Sequence, residues 1–436
     1  MRDVTPYLEI IEKIDPIKVK GKVTKMVGSV IESLGPNAST GELCYLYPPE
    51  NQRKICAEVI GFRDDKILLM PVEETQGIKT GMNVVACGHP FAVKVGRKLL
   101  GRVIDGLGKP IDKKGPIITG EERSIYNAAT LPLERKTIRS PFSTGVRAID
   151  GLLTCGKGQR LGIFSGSGVG KSLLLGRIAK YSQASVNVIA LIGERGREVQ
   201  NFLEKSLGEE GLKKSVVVAV TSDQPALLRV KGAFLATTIA EYFRDQGLDV
   251  LLMMDSVTRF AMAQREIGAA LGEPPATKAY PPSVYALLPK LLERSGAFSQ
   301  GSITGLYTVL VEGDDMNEPI SDAVRSILDG HITLSRKLAS RGHYPAIDIL
   351  DSISRLMIDI VSPEHRKASQ KLRRVLSVYE EAEDLVNIGA YVKGSNPDID
   401  YTLQMINKVN DYLRQDIDDY ASYSETVSRL SDIFQK

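Results

Sequence analysis

The feature that most constrains this chain is the octapeptide Ser165-Gly166-Ser167-Gly168-Val169-Gly170-Lys171-Ser172. An apolar run, 161–164, precedes it, and a segment with helical spacing follows. Its glycines let the backbone turn N–H groups inward around phosphate oxygens. The helix that opens at its end adds a partial positive charge. In that frame Lys171 reaches the β- and γ-phosphates of a nucleotide, and the Ser172 hydroxyl meets Mg²⁺. The strict motif has glycine where this chain has Ser165. That position lies at the strand-to-loop turn, away from the Gly170-Lys171-Ser172 end that does the chemistry. Ser165 to Ser172 are therefore expected to bind ATP as its magnesium complex.

Such a loop belongs at the carboxyl edge of a parallel sheet. Apolar runs at 186–192, 216–220, 250–254 and 306–311 end in small or charged residues, with helical stretches such as 233–244 between several of them. Continuous apolar strands alternating with helices indicate a sheet buried on both faces. Residues 20–92 differ: short β-rich runs, such as 22–27 and 66–70, are separated by turn residues, the pattern of a small barrel. From 362 onward the spacing is helical. Ser362-Pro363 caps one helix, carrying Ala368, Leu372, Val375, Tyr379 and Ala382. Asn396-Pro397 opens a second, and Tyr420, Tyr423, Val427, Leu430 and Phe434 stripe a third. The expected architecture is multidomain: a β-barrel over 20–92, a central α/β phosphate-loop (RecA-like) ATPase domain over 93–361, and an α-helical domain over 362–436. Within the leading segment, 1–19, Tyr7, Ile10, Ile11 and Ile14 share one helical face. About ten residues are too few for a lone helix in water, so this face docks on the body of the protein or on a partner.

Composition narrows the function classes. At roughly 150 residues per domain, 436 residues allow about three domains. A net charge of +3, no Trp and 6% aromatics lack the basic grooves and stacking platforms of a nucleic-acid translocase. Cys44, Cys56, Cys87 and Cys155 form no CxxC pair and read as reduced thiols. No apolar run reaches the roughly 18 residues of a membrane span, and the first residues lack a signal peptide pattern, so any membrane association comes through partners.

Three further residues complete a candidate catalytic set. Asp255 ends the apolar run 250–254 and fits the carboxylate that holds Mg²⁺ together with Ser172. Glu194 follows the run 186–192 and Gly193, at the same sheet edge as Lys171, where a carboxylate orients a water toward the γ-phosphate. Glu198 is its competitor, standing farther from the strand end. An arginine finger is a cation that stabilises charge developing on the γ-phosphate, and Arg355 is the candidate, although from the residues alone it is one of many arginines and reads equally as half of a surface ion pair.

Together these residues resemble the catalytic subunits of the rotary and type III export ATPases, from about residue 20 to 430. Pro345-Ala346-Ile347-Asp348-Ile349-Leu350-Asp351-Ser352-Ile353-Ser354 resembles that family's ten-residue signature, and Gly193-Glu194-Arg195 its catalytic-glutamate turn. The resemblance implies that Glu194 activates water, that Arg355 reaches a neighbour's nucleotide, and that Tyr344 packs on adenine with Tyr423 as a second contact. Rotary catalytic subunits carry an acidic lever motif, which Ala390-Tyr391-Val392-Lys393-Gly394-Ser395 lacks. The octapeptide and Thr277-Lys278-Ala279-Tyr280-Pro281-Pro282-Ser283 resemble the flagellar export branch, with injectisome ATPases as close relatives. The implied function is ATP hydrolysis by a homohexameric ring at the inner, cytoplasmic face of the cell membrane. The ring would unload chaperone-bound flagellar proteins and feed an export gate. Residues 266–282 would contribute to a central channel wall, and residues 1–14 would bind a regulatory stator protein. The alternatives are an injectisome ATPase, a rotary subunit paired with a non-catalytic chain, and a non-hydrolysing scaffold.

Overall fold

The computed structural model describes residues 19–48, 53–127, 131–311, 313 and 315–435. The amphipathic face over 5–14 lies outside the described residues.

Six strands close the barrel in the order β1-β2-β5-β4-β3-β6: β1 Lys20–Val27, β2 Val30–Leu34, β3 Glu42–Tyr47, β4 Ile55–Arg63, β5 Lys66–Pro71 and β6 Asn83–Pro90. Inward residues such as Val23, Ile31, Leu46, Val59, Leu69 and Val84 fill it. Outward Leu43, Leu68 and Met70 belong instead to the core of the central sheet. Alternation therefore serves two cores, and closure leaves no unpaired strand edge. Gly21 is required by packing: a Cβ there would lie 1.9 Å from the Gly35 carbonyl oxygen. A buried ion pair joins the barrel to the central region: Lys231 Nζ, on helix Ala226–Asp245, lies 2.7 Å from Glu58 Oε1 on β4. The Tyr126 hydroxyl donates to the same oxygen at 2.7 Å.

The central sheet runs Ile347–Ser354, Gly330–Leu334, Arg160–Ser165, Ser302–Leu310, Asp249–Asp255, Val186–Ile192, Ser215–Val220 and Arg102–Ile104, with Gly296–Ala297 pairing beside Ser302–Leu310. Strands such as Val186–Ile192 and Ser215–Val220 are buried at every residue. That is why they read as unbroken apolar runs. The sheet is not wholly parallel, however. The signature stretch forms the edge strand Ile347–Ser354, antiparallel to Gly330–Leu334. Its burial alternates, so the chain reverses where only one face needs covering.

Three helices, Pro363–Asn387, Pro397–Leu413 and Tyr423–Asp432, close the chain. Ser362, Asn396 and Ser422 cap them through their side chains, Ser422 in a capping box with Glu425. Leu372, Val375, Ile406 and Leu430 share one core with Leu334, Ile347 and Ile349 of the sheet. Tyr420 departs from the expected stripe: it precedes the third helix, is exposed, and packs its ring on Tyr181 at 5.6 Å between centroids.

Candidate active site

The octapeptide leaves the strand Arg160–Ser165 and enters the helix Lys171–Tyr181. Gly168 and Gly170 adopt positive φ, 78° and 91°, where other residues strain. Lys171 leans across the intervening strand Ser302–Leu310, and its Nζ lies 2.5 Å from Asp255 Oδ1 and 3.8 Å from Glu194 Oε1. Between the phosphate-loop strand and the strand that ends in Asp255 lies the strand Ser302–Leu310. That strand carries a residue the sequence did not flag. Thr308 is fully buried and donates to Asp255 Oδ1 at 2.6 Å. A hydroxyl inside an apolar strand has no periodic signature.

Glu194 projects from the turn after Val186–Ile192. Gly193 holds φ at 72°, and a Cβ there would meet Arg259 Cβ at 2.7 Å, so the turn is tailored to its neighbour. Glu194 is 12% exposed, and its Oε1 has no hydrogen-bond partner among the described residues. Burial, then hydrogen bonding to Glu198 and the charge of Asp255, push its carboxyl up to about 7. Glu198 is half-exposed and pairs with Arg195 at 3.7 Å. Its hydrogen bond to Glu194 holds it below the ordinary carboxylate value. Of the two acids, only Glu194 stands within 4 Å of Lys171 Nζ as a charge partner.

An apolar cavity of about 300 Å³ adjoins the loop, between Val169, Gly170, Leu173 and Tyr344 on one side and Gln415, Asp416 and Ile417 on the other. Tyr344 is 45% exposed and stands against Gly170. Tyr423 does not line this cavity. It opens the last helix, where its hydroxyl lies 3.3 Å from His365 Nδ1. Ile417, upstream on the preceding connection, stands in the cavity instead. Nothing in the sequence marks Ile417, because it lies outside every helical stripe.

Arg355 stands elsewhere. Ile347 pairs beside the phosphate-loop edge, opposite Leu334, while Ser354 pairs with Gly330 at the far edge. Arg355 follows Ser354, is exposed, and its guanidinium donates a long hydrogen bond, 3.4 Å, to the Arg325 carbonyl. The structure thus brings Lys171, Ser172, Glu194 and Asp255 to one sheet edge and leaves Arg355 at the opposite one.

The family model described as "ATP synthase alpha/beta family, nucleotide-binding domain" matches residues 145–354, and the family's beta-barrel domain matches 23–88. "T3SS EscN ATPase C-terminal domain" matches 361–432. The flagellum-specific ATP synthase of Bacillus subtilis is 53% identical over 433 residues, covering 98% of both chains. The chain belongs to the ATP synthase alpha/beta family. It stands with that family's flagellum-specific and type III secretion ATPases, and its reaction is ATP hydrolysis. The type 3 secretion system ATPase of Sinorhizobium fredii is 48% identical, over 96% of this chain and 93% of its own. The solved structure of the assembled ATPase EscN from enteropathogenic E. coli superposes with a TM-score of 0.89 at 47% identity, over 95% of this chain and all of that one. A second structure, EscN in complex with its central stalk EscO, has a TM-score of 0.88 at 47% identity and the same coverage. In this family member barrel, sheet and helices follow one another along the chain, as expected. Among the described residues no helix is long and apolar enough to cross a membrane.

Proposed function

We propose that this chain closes a homohexameric ring, hydrolyses magnesium–ATP between its subunits, and uses that cycle to drive export of flagellar proteins. Lys171 and the amides of Ser165 to Ser172 hold the phosphates. Asp255 is a buried carboxylate whose Oδ1 is occupied by Lys171 and Thr308, and Ser172 is an exposed hydroxyl at the helix start. That donor pair fits Mg²⁺ arriving on the nucleotide, which takes its remaining ligands from phosphates and water. Mg²⁺ supplies neutralisation of the phosphate charge. Glu194, at the sheet edge, orients the attacking water, and Tyr344 packs on the base.

The observation that carries the ring is the separation of Arg355 from Lys171 across the full length of an edge strand. An exposed arginine that cannot serve its own site is placed to serve a neighbour's, and identical chains then complete one another. The flagellar assignment is supported by relatives of 53% and 52% identity named flagellum-specific ATP synthases. Type III secretion ATPases at 48% and 49% identity keep the injectisome as the second reading. By the same family likeness the chain works in the cytoplasm at the inner membrane face and meets chaperone-bound cargo and an export gate. A stator protein binds residues 1–14, and residues 266–282 line the channel. The working division is 1–19, 20–92, 93–361 and 362–436.

The test is complementation between two inactive variants. Glu194→Gln keeps Arg355, and Arg355→Ala keeps Glu194. Mixed at equal amounts, random rings regain intact interfaces at about a quarter of sites, and turnover returns toward that fraction. A mixture as inactive as its parts would remove the shared site.

A further inference from the structure

The wall of the base cavity that carries Ile417 is not part of the central sheet. It is the connection 414–422 between two C-terminal helices, Pro397–Leu413 and Tyr423–Asp432. Two arginines fasten it. Arg147 donates to the carbonyls of Tyr412, at 2.9 Å, and Arg414, and pairs with Asp419 at 2.6 Å. Arg177 donates to the carbonyls of Gln415, at 3.3 Å, Asp416 and Asp419. Arg177 is only 6% exposed and lies on the same helix as Lys171, six residues or about 9 Å along its axis. One guanidinium thus bonds three carbonyls that bracket Ile417. Ile417 itself is 58% exposed.

We propose that Arg177 is a positioning residue for the nucleotide base: it ties the connection 415–419 to the phosphate-loop helix and so holds Ile417 opposite Tyr344. A planar base between Tyr344 and Ile417 needs both walls at a fixed spacing, and a fork of rigid donors sets that spacing better than a flexible ammonium. Base affinity then depends on the C-terminal helices staying docked on the helix that carries Lys171. Phosphate affinity does not. This inference rests on the reading that the cavity receives the base.

The test uses the full chain and five variants, Arg177→Met, Arg177→Lys, Ile417→Ala, Lys171→Ala and the double variant Arg177→Met with Ile417→Ala, with ATP and magnesium tripolyphosphate as probes. Arg177→Met is expected to raise KM for ATP about tenfold with kcat changed less than about twofold, and to leave inhibition by tripolyphosphate unaltered. Ile417→Ala, a change at an exposed side chain, is expected to reproduce that split, and the double variant to be no worse than either alone. Arg177→Lys should recover part of the loss. Unchanged KM in Arg177→Met, with Ile417→Ala impaired, overturns the inference and leaves the base cavity standing. Weakened tripolyphosphate inhibition in Arg177→Met also overturns it, since the phosphate loop itself would then have moved. If Ile417→Ala and Arg177→Met both bind ATP normally while Lys171→Ala does not, the base cavity is wrong as well.

Discussion

Glu194 is a site residue whose acidity the fold has altered. Its carboxyl is pushed up to about 7 chiefly by burial, so it is neutral in mild acid and ionised above neutrality. A group that orients and polarises water acts in its ionised form. kcat/KM is therefore expected to fall as pH drops below about 7 and to level off above it, reporting the unliganded site. In Glu194→Gln the limb should vanish, with turnover reduced about 10²- to 10⁴-fold and ATP still bound. A pH profile with the same acid limb in the glutamine variant would move the titration to another group. Lys171, Glu194 and Asp255 were legible because each follows a strand or glycine turn that sequence spacing displays. Thr308, Arg177 and Ile417 were not. Their roles depend on which strand lies between two others and on a connection folding back from the chain's end, and neither fact has a local signature. Tyr423 shows the converse. A residue drawn by family likeness alone sits against His365 instead of in the cavity.

Elements were read best where one period dominated. The capped C-terminal helices were plain and the barrel showed in short runs between turn residues, whereas Arg102–Ile104, three residues long, is too short to show any pattern. The edge strand Ile347–Ser354 followed its family signature, but its reversed direction is a matter of tertiary pairing that no propensity encodes. The joint between barrel and sheet also escaped notice, since Lys231 and Glu58 are far apart in sequence. Their side chains are 3% and 7% exposed, and burial pulls each toward its neutral form: Glu58 is raised and Lys231 lowered. Lys231→Met removes one charge and strands the other, which is expected to cost about 3–5 kcal/mol in urea unfolding. Pairing it with Glu58→Met should recover most of that loss. A loss in the double variant equal to the sum of the two single losses would show that the pair is not coupled.

For the whole molecule, the phosphate site lies at one edge of the sheet and the arginine offered outward at the other. If the site is shared as proposed, a lone subunit lacks part of its machinery, and specific activity is expected to rise with protein concentration until rings are complete. Specific activity independent of dilution, measured alongside mass by light scattering, would place the whole reaction within one chain. Tyr344 and Arg355 flank the edge strand Ile347–Ser354, the first beside the cavity next to the phosphate loop and the second at the opposite edge of the sheet. In the proposed ring, that strand would act as a spacer between a subunit's own pocket and the next. Edge strands usually accept an added or lost residue with little harm. Here a single insertion between 347 and 354 would turn the remaining side chains to the other face and carry Arg355 about 3.3 Å out of step. In the proposed ring, each pocket would then be out of line with the arginine offered to it.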